Sequence, residues 1–339
     1  MGSVKDLRII EEAKEKPGIA EFIFSDRYSV FDWGEMPDLI ENKGKSLCLI
    51  GAYFFEKMNK NGIKNHYVGV VEDEKIKSIK EIKEATNRMR IKILRVIKPR
   101  ICGKEYDYSV YSKEKSNFLI PVEVIYRNFI AEGSSFLKRL REGKINLAEY
   151  GLKKVEANQK LDQPIYEFST KLEEIDRYIS REEVKRIAML SNEEIEEIIE
   201  ISEKINGMIS REVEKTGARN EDGKIEFGFD EERNIIVVDV VGTPDECRFT
   251  INGIPISKEI ARIYYRKTEW YKEIEEAKKI DAIDWRRKVT QPPFLPPILR
   301  ESISSIYQSL CNEITGRRFF KVKSFGEIIA EIKELLNEG

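Results

Sequence analysis

The stretch Lys224-Ile225-Glu226-Phe227-Gly228-Phe229-Asp230, followed after Glu231-Glu232-Arg233-Asn234 by Ile235-Ile236-Val237-Val238-Asp239-Val240-Val241, decides how this chain is read. Both pieces are short, apolar and β-prone, and the four polar residues between them suit a hairpin loop. With those four as the loop, Asp230 pairs with Ile235 and Glu226 falls opposite Asp239. Like charges facing each other across a sheet are destabilising. Asp239 also interrupts an apolar run, where an unpaired charge is costly. A bound cation removes both problems. Two carboxylates on neighbouring strands, Glu226 and Asp239, with Lys224 on the face of Glu226, suit a Mg²⁺–nucleotide phosphate site. A structural Lys224–Glu226–Asp239 ion-pair cluster accounts for the same residues.

Further motifs lie on either side. Gly242-Thr243-Pro244-Asp245-Glu246-Cys247-Arg248 is a Pro-containing turn at a strand end, a normal place for binding residues. Arg127 ends the apolar run Leu119–Tyr126 and precedes Gly133-Ser134-Ser135, a combination of guanidinium, hydroxyls and amides that suits a phosphate. Ser25–Asp32 is dense in polar groups after the strand-like Ala20–Phe24. Lys43-Gly44-Lys45-Ser46 lacks the upstream glycine of a phosphate loop, Leu39 standing in that place, so a P-loop NTPase is rejected.

The periodicity predicts a helix over Ser46–Met58, a strand over Ile91–Ile97 and a new domain from about residue 118. Capping boxes at Ser180 and Ser191 open two helices, the second with Ile195, Ile198, Ser202, Ile205 and Ile209 on one face and Gly217 as its stop. An extended Pro292–Pro297 linker leads to a helix over Ile298–Thr315 closed by Gly316, and a last helix starts at Ser324. The chain has 339 residues, 41% hydrophobic and 35% charged, which excludes disordered, collagenous and membrane classes. With 59 basic against 61 acidic residues there is no bias toward nucleic acid or membrane surfaces. His66 is the sole histidine and the four cysteines are widely spaced, so histidine-based nucleophilic catalysis, zinc sites and disulfide frameworks are disfavoured. The cytoplasm is the expected compartment.

Taken in chain order, these segments resemble the SAICAR synthetase family over most of the chain. Asp26–Asp32 is similar to its D-R-I-S-A-F-D, and Lys43-Gly44 to a later K-G before a helix ending in paired aromatics, here Phe54-Phe55. Pro121–Arg127 resembles P-V-E-x-x-x-R, with Gly133-Ser134 as the following G-S, and Ser169-Thr170-Lys171 resembles S-T-K. Lys224–Gly228 is similar to K-x-E-F-G, and Asp239 with Thr243-Pro244-Asp245 and Arg248 to D-E-x-x-T-P-D-S-S-R.

The resemblance implies an α+β fold of two domains. Residues 1–117 would form a small, mainly antiparallel sheet domain. Residues 118–339 would form an ATP-grasp-like domain with a helical C-terminal extension, and ATP and Mg²⁺ would lie in the cleft between the two. It implies a ligase that phosphorylates the carboxylate of carboxyaminoimidazole ribotide and lets the amine of aspartate displace phosphate. On this resemblance Lys5, Glu226 and Asp239 serve the nucleotide, Glu226 and Asp239 as metal ligands. Lys171, Lys224 and Asp245 are catalytic; Glu123 and Asp245 face the imidazole or ribose; Arg127, Ser134 and Arg248 hold the ribotide phosphate. Asp26, Arg27, Ser29 and Asp176 belong to the substrate side.

The partners implied are small molecules, and the Pro-rich linker and charged tail are compatible with a homodimer. Three departures stand out: Gly2-Ser3-Val4-Lys5 for G-K-V-R, Ile175-Asp176-Arg177-Tyr178 for H-D-E-N, and Asp239-Val240 for D-E. The chain is also longer than ordinary members, around Ala261–Arg287 and after Gly316. These departures keep two alternatives open: a paralogous ligase acting on another carboxylate or amine, and a nucleotide-binding regulatory protein without catalysis.

Overall fold

The computed structural model describes residues 4–103, 105–281 and 284–337, so Gly2 and Ser3 of the opening motif lie outside the described residues. Strands β1 (Lys5–Glu11), β2 (Gly18–Phe24), β3 (Tyr67–Glu72), β4 (Lys75–Lys77) and β5 (Arg88–Ile93) form an antiparallel sheet in the order β1-β2-β5-β3-β4. The eighteen-residue helix α1 (Lys43–Lys60) lies against β2, β3 and β5 and buries Leu47, Ile50, Phe54 and Met58, the stripe that the three- and four-residue spacing predicts. A short ribbon, β6 (Arg100–Cys102) with β7 (Glu105–Asp107), follows.

A second sheet contains β8 (Phe118–Ile130), β9 (Gln159–Thr170), β10 (Tyr178–Ile179), β11 (Arg219–Phe229), β12 (Ile235–Val238), β13 (Cys247–Ile251) and β14 (Ile254–Pro255). Its order is β10-β9-β8-β11-β13-β14, and β12 extends it beside the far end of β11. Helices α2 (Ser135–Arg141), α3 (Arg181–Ala188) and α4 (Asn192–Glu214) belong to this half, α4 packing its buried isoleucines on β11. Ser191 and Glu194 form the reciprocal capping box. Two bridges stitch the sheets together, Asn65 with Val237 and Arg95 with Phe118.

Helices α5 (Glu259–Tyr265), α6 (Glu269–Ile280), α7 (Pro297–Thr315) and α8 (Phe325–Asn337) complete the chain, and α7 is the main helical partner of α1. Among the described residues no helix is long and apolar enough to cross a membrane.

Two expectations are corrected. The strand expected over Ile91–Ile97 runs instead over Arg88–Ile93, because its ladder with β2 ends where Gly18 pairs with Ile93. Leu94 then turns into a small apolar group with Ile236, Val238 and Leu119. The hairpin register is also one residue off: Phe229 pairs with Ile235, and Glu226 with Val238, not Asp239. Asp230 belongs to the loop because its carboxylate accepts from the amides of Glu232 and Asn234, at 3.0 and 2.8 Å. That local Asx-type closure lengthens the loop and leaves Asp239 just past the strand, at φ 62°.

Candidate active site

The cross-strand neighbour that Glu226 does have is a like charge. Glu226 on β11 pairs with Glu123 on β8, and Glu123 pairs in turn with Ser169 on β9. Two glutamates side by side on a sheet repel unless cations lie between them, and lysines do. The Lys224 ammonium is 2.9 Å from Glu226 Oε1, 3.3 Å from Glu123 Oε2 and 3.4 Å from Glu246 Oε2. Lys171, one residue beyond β9, reaches the same Oε1 of Glu226. From the edge of the first sheet, Lys5 Nζ comes 2.6 Å from Asp239 Oδ1.

Five carboxylates (Glu123, Asp176, Glu226, Asp239 and Glu246) thus gather around three ammonium groups. Burial, reinforced by the charge of Asp239, raises Glu226 above the usual carboxylate range. Burial raises Glu123 and Asp176 as well. Burial would raise Asp239 too, but Lys5, then Lys224 and Lys171, hold it well below that range. Burial opposes the charge on Lys224, yet Glu246, Glu226 and Glu123 raise its pKa well above that of a free lysine.

His66 is buried, 3% exposed. Burial pushes it down to about 4, so its neutral ring is the donor at Nε2, 2.9 Å from the Asp239 carbonyl oxygen. Beside the charged cluster the same face turns apolar, with Leu94, Ile236 and Val238 packed together and Leu119 against them. Gly228 leaves the room for this, since a Cβ there would meet Leu94 Cδ1 at 2.2 Å. On β1, Leu7 and Ile9 share the face of Lys5 and are 42% and 46% exposed.

A second cluster surrounds Arg127, which is 2% exposed. Its Nε donates to Glu167 at 2.8 Å, and its other nitrogens reach Asp222, Ser135 Oγ and the Tyr178 hydroxyl. Arg248 lies 3.2 Å from the same Asp222 oxygen. A third cluster is closed to solvent: Asp245 meets Lys43 at 2.9 Å and Lys258 at 3.5 Å, and Tyr307 donates to it at 2.6 Å.

The SAICAR synthetase family profile matches residues 2–277 of this chain. The chain belongs to that family. A chain of Archaeoglobus fulgidus, provisionally named phosphoribosylaminoimidazole-succinocarboxamide synthase, is 52% identical to this SAICAR synthetase homologue over 99% of its length and 100% of its own. The phosphoribosylaminoimidazole-succinocarboxamide synthase of Thermoplasma volcanium is 34% identical, covering 88% of this chain and 93% of its own. Among solved structures, a SAICAR synthetase in complex with ADP is 23% identical with a TM-score of 0.57, covering 87% of this chain and 99% of its own. A Saccharomyces cerevisiae SAICAR synthase solved with SAICAR is 21% identical with a TM-score of 0.64, covering 95% of each chain. The family fixes the class of chemistry as ATP-dependent ligation of a carboxylate to an amine.

Within this SAICAR synthetase the expected residues separate into groups. Lys5, Glu123, Lys171, Lys224, Glu226 and Asp239 come together on one wall, with the exposed Asp176 within electrostatic reach of Lys171. Arg127 and Arg248 meet through Asp222. Ser134, however, caps α2 with its side chain, and the hydroxyl that reaches Arg127 is that of Ser135. Asp245 was expected to face substrate, but its carboxylate is buried against Lys43, Lys258 and Tyr307. Asp26 accepts from the Asn42 and Gly44 amides at the start of α1, at 3.2 and 2.9 Å, and Arg27 pairs with Asp6. Ser29 is partly exposed.

Glu246, Asp222 and Glu167 were missed by sequence reasoning. Asp222 carried a legible signal, since Asp222, Lys224 and Glu226 alternate along one strand and so share a face. Glu167 had none: its role depends on which strand β9 pairs with.

Proposed function

We propose that this wall binds Mg²⁺–ATP and that the enzyme joins the carboxylate of carboxyaminoimidazole ribotide to the amine of L-aspartate. The observation that carries this reading is the junction of a lysine–carboxylate cluster with an apolar recess on one sheet face. The apolar group of Leu94, Leu119, Ile236 and Val238 beside the cluster suits a purine base. Lys5, Lys171 and Lys224 suit its phosphates.

Among the described residues no group of three or more His, Cys, Asp or Glu side chains is arranged to hold a metal alone. Mg²⁺ is usually bound through one or two carboxylates plus substrate phosphates and water. Glu226 and Asp239 would be those carboxylates, and the surplus of carboxylates over ammonium groups in the cluster around them is what a divalent cation neutralises. Bound there, Mg²⁺ would supply charge neutralisation at the phosphates.

A carboxylate is a poor acceptor for an amine until an oxygen is made into a leaving group. A carboxylate oxygen of the ribotide attacks the γ-phosphorus, and the bond to the departing ADP oxygen breaks. The amine then attacks the acyl carbon, phosphate leaves with the C–O bond, and the amine gives up a proton. Lys171 and Lys224 would hold the transferring phosphoryl group in line and offset its charge, so catalysis is mainly positioning. Arg127 and Arg248 would take the ribotide phosphate in exchange for their ion pairs with Asp222, and Glu123 and Asp176 would face the ribotide ring side. We also propose the division of the chain at residues 117/118, where β8 begins.

The test is ADP release with Mg²⁺–ATP, the ribotide and a panel of amines, following products by mass. Product with aspartate alone supports the reading. Ribotide-dependent ADP with another amine points to a paralogous ligase, and no ADP with ATP still bound points to a regulatory protein. Asp239→Asn should lose turnover by about 100-fold or more while the chain stays folded; undiminished turnover would remove Asp239 from the metal role.

A further inference from the structure

Lys224 is held on three sides, and one of the three carboxylates stands outside the matched motifs. Where the family sequence carries the first serine of T-P-D-S-S-R, this chain has Glu246. The family's D-E carboxylate is meanwhile Val240 here, and that side chain turns away toward α1, its Cγ1 3.0 Å from where a Cβ on Gly51 would lie. Glu246 therefore restores, from the turn before β13, the number of carboxylates near the cluster. It is largely buried, with 14% of its side chain exposed, and its Oε2 lies 3.4 Å from Lys224 Nζ. The main chain makes the same link, since the Lys224 amide donates to the Glu246 carbonyl at 3.2 Å. Glu246 thus follows Lys224 through backbone and side chain together.

The geometry has a consequence during turnover. Glu226 Oε1 is shared between Lys171 and Lys224, and in the function proposed above Glu226 turns to the metal. An ammonium has three N–H donors. When Glu226 leaves, only Glu123 and Glu246 remain to keep the Lys224 stem aimed, and a lysine on a four-carbon chain is otherwise free to swing. Glu123 lies across the ladder on β8 and Glu246 on the opposite side, next to β13, so the pair brackets Lys224.

We propose that Glu246 is a positioning residue of this enzyme, holding Lys224 in its phosphate-directed orientation when Glu226 is engaged elsewhere. The inference rests on the proposed role of Lys224. It predicts that Glu246 acts through Lys224 and on the chemical step, not on nucleotide affinity.

The experiment is a double-mutant cycle on the full chain with Glu246→Gln, Lys224→Met and both together. It reads ADP release with Mg²⁺–ATP, carboxyaminoimidazole ribotide and aspartate, with thermal unfolding as the check on folding. Glu246→Gln should lower kcat by about 10-fold while KM for ATP moves less than about threefold, and it should have no further effect in the Lys224→Met background. Glu246→Asp, which keeps the charge on a shorter stem, should recover part of the loss. A kcat within twofold of the parent for Glu246→Gln overturns the proposal, as does a full 10-fold loss added on top of Lys224→Met. If Lys224→Met itself turns over normally, the role of Lys224 falls and the proposal falls with it. Should Glu246→Gln fail to fold, Glu246→Asp is decisive: a loss confined to kcat upholds positioning, and no loss overturns it.

Discussion

Gly242 directly follows the run that carries Asp239, and it sits at φ 73°. A Cβ there would lie 2.3 Å from Phe54 Cδ2, inside the ring's van der Waals envelope. Two costs therefore coincide: the left-handed backbone that only glycine adopts freely and an overpacked contact with the core of α1. Gly242→Ala should destabilise the protein by about 2–4 kcal/mol, measured by urea unfolding; a loss below about 1 kcal/mol would show that the turn relaxes without strain. The glycine was legible as a turn residue before Thr243-Pro244. Its packing reason was not, because Phe54 is 188 positions away in the chain and only the docking of α1 brings it there. Glu226 teaches the same lesson. Its need for a cationic partner was readable from charge in an apolar strand, but its like-charged neighbour is Glu123, which no local pattern identifies.

At the scale of elements, α1 shows a motif residue with a structural partner that its motif does not reveal. Its N-cap, Asn42, is left-handed and makes no side-chain cap, and its first turn holds no acidic residue. The exposed amide ends are met instead by Asp26, sixteen positions upstream of Asn42, through the Asn42 and Gly44 amides. A carboxylate at a helix start satisfies orphan N–H groups and the helix dipole together. Asp26→Ala should therefore destabilise the ligand-free protein by about 1–2 kcal/mol. Unchanged thermal stability combined with a raised KM for the amine substrate would return Asp26 to the substrate site. The periodic elements were the readable ones: α4 begins at the capping box of Ser191 and buries the predicted isoleucine face, and α7 closes at Gly316, φ 66°. Element ends set by partners, as for β5 and the Glu226 hairpin, were the unreadable ones.

Across the whole molecule, Glu212 on α4 ties the two halves together. It accepts from Lys57 at 2.7 Å and from the Tyr53 hydroxyl at 2.8 Å, both on α1, and from Lys215 on its own side. Burial opposes its charge, but Lys215, Lys57 and Tyr53 together lower its pKa to about 2, from 4.5 ordinarily. A carboxyl whose folded pKa is depressed contributes stability above its unfolded pKa and loses it as pH falls through the folded one. Stability should accordingly decline between pH 4.5 and about 2 as Glu212 takes up its proton. Glu212→Gln should be less stable at pH 7 by about 1–2 kcal/mol after allowance for solvent screening. Its acid profile should be flatter across that window. Unfolding curves at pH 7, 4 and 3 check both, and parallel profiles for the two proteins would remove Glu212 from the linkage.

What the amino-acid sequence alone determined is what short-range physics controls. Periodicity and capping placed the principal helices and the strands around Leu119–Arg127 and Lys224–Phe229, and the density of ordered motifs carried the family, the fold class and the wall of Lys171, Lys224, Glu226 and Asp239. Only the tertiary structure decided which partners each of these carboxylates has inside the fold. Asp245 and Asp26 matched motifs as well as Glu226 did, yet their carboxylates have partners inside the fold, Lys43, Lys258 and Tyr307 in one case and the start of a helix in the other. Tyr307 lies beyond the matched residues 2–277, so no motif pairs it with Asp245. A carboxylate's role depends on which donors come within about 3 Å of it, and that is fixed by long-range packing that sequence spacing does not encode.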